Sequence, residues 1–135
     1  MKLDEMLRIF RVFSDRNRLQ IYLALLEAEL CVREIMKLLK IEQSLLSHQL
    51  RILRQAGLVV ARRNGRWFFY SLSMDYRSQL EPLLRNMLGE EIEMAARKVK
   101  SIKNKRDGGI RKEEERSSVR KLSGRRKEIS RGIKT

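Results

Sequence analysis

Apolar residues recur at steps of three and four along most of the first hundred positions, and that spacing predicts a mainly helical fold. Leu3, Met6, Leu7, Phe10 and Phe13 make one stripe on a short first helix over residues 3–13. Ser14 or Asp15 stands where a second helix needs a cap, since a short oxygen-bearing side chain satisfies the orphan N–H groups of a first turn. That helix runs to about residue 27. Its stripe of Leu19, Tyr22, Leu23 and Leu26, widened by Ile21 and Leu25, marks it as central and largely buried. Glu29-Leu30-Cys31 predicts a very short strand. Val32, Ile35, Met36 and Leu39 then define a third helix with Arg33, Glu34 and Lys37 facing out. Lys40-Ile41-Glu42 is only long enough for a tight turn, and a fourth helix covers residues 43–56. Gly57 ends it, as glycine commonly does just past a helix.

The period then drops to two. β-rich runs at 58–63 and 66–72 flank Asn64-Gly65, whose type I′ turn signal predicts a hairpin with φ > 0 at both residues. From about Tyr76 the helical period returns through Leu80, Leu83, Leu84, Met87, Leu88, Ile92, Ala95 and Val99, with Pro82 expected in the first turn of one long helix. So much apolar surface on a terminal helix exceeds what a small core can cover. Together with the first helix it forms the expected dimer surface: Leu3, Met6, Leu7, Phe10, Leu84, Met87, Leu88, Ile92 and Ala95.

The fourth helix is the informative one. At helical pitch Gln43, Ser44, Ser47, His48, Arg51, Arg54 and Gln55 share an arc of roughly 140°. Leu45, Leu46, Leu50, Ile52, Leu53 and Ala56 fill the remainder, with Gln49 the single polar intruder. A generic solvated face mixes Glu with Lys. This arc has no acid and carries hydroxyl, amide, imidazole and guanidinium groups, which bond base edges and phosphates. Two helices joined by a turn of a few residues, the second with such an arc, form a helix-turn-helix. The hairpin behind it sets Arg62, Arg63 and Arg66 around one tight turn, with Trp67, Phe68, Phe69 and Tyr70 following. Three arginines so close repel one another until an anion arrives, and this makes the hairpin a wing.

Charge sharpens the picture. The 135 residues carry a formal net charge of +14, which points to a polyanionic partner. Residues 101–135 hold 13 Lys/Arg against 5 Asp/Glu, together with Gly108-Gly109, Gly124 and Gly132, and lose the helical period. They are expected to form a basic, disordered tail behind a folded domain at 1–100. One cysteine, Cys31, excludes an intrachain disulfide framework. No apolar run approaches the roughly 20 residues of a membrane span, and the N-terminus builds no signal-peptide core. The expected location is the cytoplasm, at the nucleoid. One His and one Cys on different helices, with no glycine-rich phosphate loop, give no nucleophile–base set, so an enzyme is not expected.

The segments FRVFSDRNRLQIYLALLEAELCVREIMKLL and QSLLSHQLRILRQAGLVVARRNGRWFFYSL resemble the ArsR/SmtB (arsenic-repressor) family of winged-helix transcription factors over residues 10–72. The resemblance implies a homodimer on a pseudo-palindromic double-stranded DNA operator, acting as a repressor. It also exposes departures. Family arsenic sensors carry two thiolates in the segment that here reads ELCVREI, so Cys31 keeps the first position and Arg33 replaces the second. A soft trivalent ion needs several thiolates, and zinc or nickel about four N, S or O ligands. Residues 76–100 contain neither His nor Cys. No metal site and no cofactor is therefore expected, no small-molecule inducer is evident, and a sensor built on Cys31 is an alternative. Lys40 stands where the family commonly has glycine, and Glu42 where it has a Ser or Thr cap.

The expectation is thus a mainly α winged helix-turn-helix with a β-hairpin wing, a homodimer through its first and last helices. Its DNA-contacting residues are Gln43, Ser44, Ser47, His48, Arg51 and Arg54 on the reading helix and Arg62, Arg63 and Arg66 on the wing. A nucleic-acid-binding protein that does not read sequence is the competing class.

Overall fold

The computed structural model describes residues 1–105. The order of elements is α1 (Leu3–Phe13), α2 (Arg16–Leu25), β1 (Leu30–Cys31), α3 (Val32–Leu39), α4 (Gln43–Gln55), β2 (Val59–Asn64), β3 (Trp67–Leu72) and α5 (Met74–Met87). Residues 89–105 form a further helix, α6. Residues 101–105, assigned above to the tail, are therefore helical, and the remainder of the expected tail lies outside the described residues.

Asp15 caps α2, accepting a hydrogen bond from the Arg18 N–H at 3.1 Å. Ile21, Tyr22 and Leu25 are fully buried, so α2 is the central helix that its sequence predicted. Around it lie Ile9 of α1, Ile35 of α3, Leu46, Leu50 and Leu53 of α4, Leu58, and Leu80 of α5. The antiparallel sheet has the order β1-β3-β2 and closes one side. α4 ends in a Schellman motif: Leu58 N–H donates to the Leu53 carbonyl at 3.0 Å, Gly57 N–H donates to that of Arg54 at 3.0 Å, and Gly57 takes φ +76.

Five expectations need correction. The hairpin register pairs Asn64 with Trp67, so the two-residue turn is Gly65-Arg66, not Asn64-Gly65. Only Gly65 (φ +61) has positive φ there, as a turn with glycine at the first central position requires. α5 begins at Met74, capped by Ser73, and Pro82 consequently falls inside the helix instead of in its first turn. The long terminal helix is two helices, interrupted at Leu88 (φ −127, ψ 36) beside Gly89. Glu34, expected to face out from α3, is buried and accepts the Cys31 N–H. α1 buries Ile9 and Val12 and leaves Leu3, Leu7 and Phe10 of its stripe exposed. Leu84 and Ile92, expected on the dimer surface, are buried in the protomer's own core. Of that set Met87 is exposed, and Met6, Leu88 and Ala95 are half-buried.

Candidate nucleic-acid interface

α4 is held from two sides by arginines of other helices. Arg18 of α2 donates from Nε to the Val12 carbonyl at 2.7 Å and from Nη1 to Gln49 Oε1 at 2.9 Å. This explains the polar intruder: Gln49 is buried because it accepts a charged donor. Arg16, at the start of the same helix as Arg18, is exposed. Arg8 of α1 donates from Nη1 to the Ala56 carbonyl at 2.7 Å and from Nη2 to the Tyr76 hydroxyl at 2.9 Å. The Tyr76 hydroxyl donates in turn to Glu5 at 3.3 Å. A cation on the last carbonyl of α4 also complements that helix's dipole.

With its apolar side so fixed, α4 presents Gln43, Ser44, Ser47, His48, Arg51, Arg54 and Gln55 to solvent, all exposed. Leu45, placed by its sequence among the apolar side chains, is 40% exposed. At the N-terminus Glu42 makes no side-chain capping bond, so the first N–H groups of α4 are left to solvent or to an anion. Lys40 in the preceding turn adopts φ 54, ψ 48 and is the one non-glycine residue with positive φ among the described residues.

The hairpin organises its arginines through its register. Arg62 lies directly opposite Phe69 and Arg63 opposite Phe68, and each guanidinium sits over the ring of its cross-strand partner, at 5.3 and 5.8 Å from the centroid. Arg62 is also hydrogen-bonded to Glu29, so its charge is partly answered within the protein. That ion pair holds the Arg62 guanidinium above its already high ordinary range. Arg63 donates to the Gly65 carbonyl at 3.0 Å, and Arg66 occupies the turn itself, 5.5 Å from the Trp67 ring. The structure thus brings Arg63 and Arg66 to the tip and gives Arg62 an internal partner. Sequence reasoning noted Arg33 as facing out and as the replacement for a cysteine but did not place it at the wing, where its guanidinium lies 4.9 Å from the centroid of the same Trp67 ring. Contact between residues 34 positions apart, Arg33 on α3 and Trp67 on β3, has no local signal. Nothing in the spacing marked Arg8 either, though Gln49 on an apolar face was a signal for its partner Arg18.

Cys31 is buried at the start of α3, where its N–H donates to Glu34 Oε1 at 3.0 Å. Burial first, and then the Glu34 carboxylate, pushes its thiol above the ordinary cysteine range, which disfavours the thiolate that metals and oxidants need. Among the described residues no three His, Cys, Asp or Glu side chains gather as a metal would require. No described helix is long and apolar enough to cross a membrane.

A short helix, a turn, an exposed polar second helix and an arginine-tipped hairpin together define a winged helix-turn-helix protein. The sequence profile described as bacterial regulatory protein, arsR family, matches residues 15–60, from the cap of α2 into β2. A helix-turn-helix-type transcriptional regulator of Methanocaldococcus jannaschii is 41% identical over 75 residues, covering 55% of this chain and 84% of that one. The chain belongs to the ArsR family, whose members are transcriptional regulators and not enzymes. A transcriptional repressor SmtB homolog of Synechocystis is 43% identical over 70 residues, which covers 52% of this chain but only 53% of that relative. The homodimeric winged helix-turn-helix DNA-binding domain of a Mycobacterium bovis protein superposes with a TM-score of 0.58 at 28% identity, covering 68% of this chain and 85% of that one.

Proposed function

We propose that the chain is a homodimeric repressor that reads a double-stranded operator with α4 and lacks the metal-sensing cysteine pair of its relatives. The observation that carries this is the polar arc of α4: every member is solvent-exposed and none is an acid. Gln43, Ser44, Ser47, His48 and Arg51 are the candidates for base edges and nearby phosphates, and Arg54, Arg63 and Arg66 for the flanking backbone. Arg62, paired with Glu29, contributes less. Residues 1–100 are the DNA-binding and dimerising part. Leu3, Leu7 and Phe10 of α1, with Met87, supply exposed apolar side chains for the partner, and two-fold symmetry sets half-sites about 34 Å apart. The protein acts in the cytoplasm, on the nucleoid.

A footprint on the DNA upstream of its own coding region, competed by scrambled duplex, tests the proposal. Protection of a two-fold site that Arg51→Ala abolishes is the expected result. Equal competition by scrambled duplex would instead favour a protein that does not read sequence, a reading the net charge of +8 over residues 101–135 supports. Repeating the footprint with zinc, arsenite and a thiol oxidant tests the inducer: no release is expected, and release by arsenite would restore a sensing role to Cys31.

A further inference from the structure

Two guanidinium groups from separate elements converge on one indole. Arg33 comes from the first turn of α3 and Arg66 from the hairpin turn; their guanidinium carbons lie 4.9 and 5.5 Å from the centroid of the Trp67 ring. They are therefore at most about 10 Å apart, no further than the Debye length of roughly 10 Å at 0.1 M salt, so each feels the other's charge. Arg18, Arg62, Arg77 and Arg85 each have a carboxylate within ion-pair distance. Among the described residues neither Arg33 nor Arg66 has one, and both are exposed. A ring face attracts a cation through its quadrupole and leaves the outward N–H donors free. Trp67 therefore gathers two unanswered charges on the outer face of the sheet, where Asn64 and Trp67 are paired across the strands. Such a pair holds planar, multiply donating groups ready for an oxyanion, and a duplex supplies oxyanions in rows.

We propose that Arg33 and Arg66, gathered on Trp67, form a second backbone-phosphate contact of the DNA-binding surface, so that α3 binds the duplex through Arg33 in addition to supporting α4. The proposal rests on the DNA-binding reading above. It makes Arg33 a direct phosphate ligand and Trp67 a positioning residue. A phosphate contact carries no sequence information, so it shows on any duplex.

The test is binding of the full chain to a fluorescein-labelled random 30-base-pair duplex across a series of KCl concentrations. Arg33→Ala is expected to weaken binding about tenfold and to lower the salt slope by about 0.9 for each Arg33 engaged, close to 2 in a dimer. Arg33→Lys should restore the slope, because it restores the charge. Lys37→Ala, one turn further along α3 and also exposed, removes the same charge and should leave the slope unchanged. Trp67 is the only tryptophan, so its emission reports directly on the site, and it should shift on saturation with duplex in the wild type. An unchanged melting temperature in Arg33→Ala would confirm that the fold is intact, with Arg33→Gln as the second variant. If Arg33→Ala and Lys37→Ala lower the slope equally, only net charge is at work and the proposal is wrong. If Arg33→Ala binds as the wild type does while Arg51→Ala and Arg63→Ala bind weakly, this contact is refuted and the DNA-binding reading stands. A wild type that ignores the duplex at low salt overturns both.

Discussion

Lys40 closes the turn between α3 and α4 in the left-handed region, a conformation that costs an ordinary side chain about 1–2 kcal/mol. Glycine relieves that strain but gains freedom in the unfolded chain, worth about 0.5–1 kcal/mol in the other direction. Lys40→Gly should therefore raise stability by about 0.5–1 kcal/mol, seen as a higher urea midpoint with an unchanged m-value. Tyr22 carries a different strain. Its ring packs edge-on against Phe13 at 5.0 Å, while its hydroxyl is buried with no hydrogen-bond partner among the described residues. Burial pushes its phenol up to about 12 from the ordinary 10. A raised phenol value favours the neutral form in the folded state, so this contribution is complete below pH 10 and is lost as pH climbs from 10 towards 12. Tyr22→Phe should stabilise the protein by up to about 1 kcal/mol at neutral pH and flatten the alkaline part of its stability profile, measured by thermal melts at pH 8 to 11.5.

Among the elements, α4 owes its placement to the arginines that grip it from α1 and α2. Arg8→Met keeps the apolar stem and deletes the donors to Ala56 and Tyr76, which should cost about 2 kcal/mol in urea unfolding. Combined with Tyr76→Phe, the loss should be less than additive, since both variants break the same bond. The polar arc of α4 was legible in its sequence because DNA-facing chemistry is local: side-chain type and a 100° step are enough. The turn was not, because Asn64-Gly65 and Gly65-Arg66 both satisfy hairpin chemistry. What decides between them is non-local, namely the buried Val59–Leu72 pair and the Arg–aromatic pairs that only one register creates. Pro82 was misplaced for a related reason: a proline signals a first turn only if the cap is known, and Ser73 lies nine residues earlier. The last helix breaks at Leu88, where the apolar period runs on unbroken and Gly89 was the one signal in the sequence.

On the scale of the whole molecule, α1 divides its apolar residues between two destinations. Ile9 and Val12 go to the core, and Leu3, Leu7 and Phe10 remain uncovered. The period of α1 alone could not separate the two, because both sets are spaced by threes and fours. Phe10 is half exposed, so Phe10→Glu should leave the protomer folded. It should convert a dimer to a monomer in sedimentation velocity and abolish tight operator binding, because each monomer then reads only one half-site. Leu84 of α5 and Ile92 of α6, expected at the interface, are both taken up by the protomer's own core. Once Leu88 bends the chain, α6 has its own contacts with the protomer, and Ile92 and Val99 are spent there.

The cross-strand seating of arginine on aromatic rings in the wing has one more consequence. Arg62 and Arg63 are already parked on Phe69 and Phe68 by the strand register, so their long side chains have given up much of their rotamer freedom before any encounter. The hairpin therefore meets its target with little left to freeze. Association should show only the modest negative heat-capacity change of a rigid polar contact, without the large one that accompanies folding on binding.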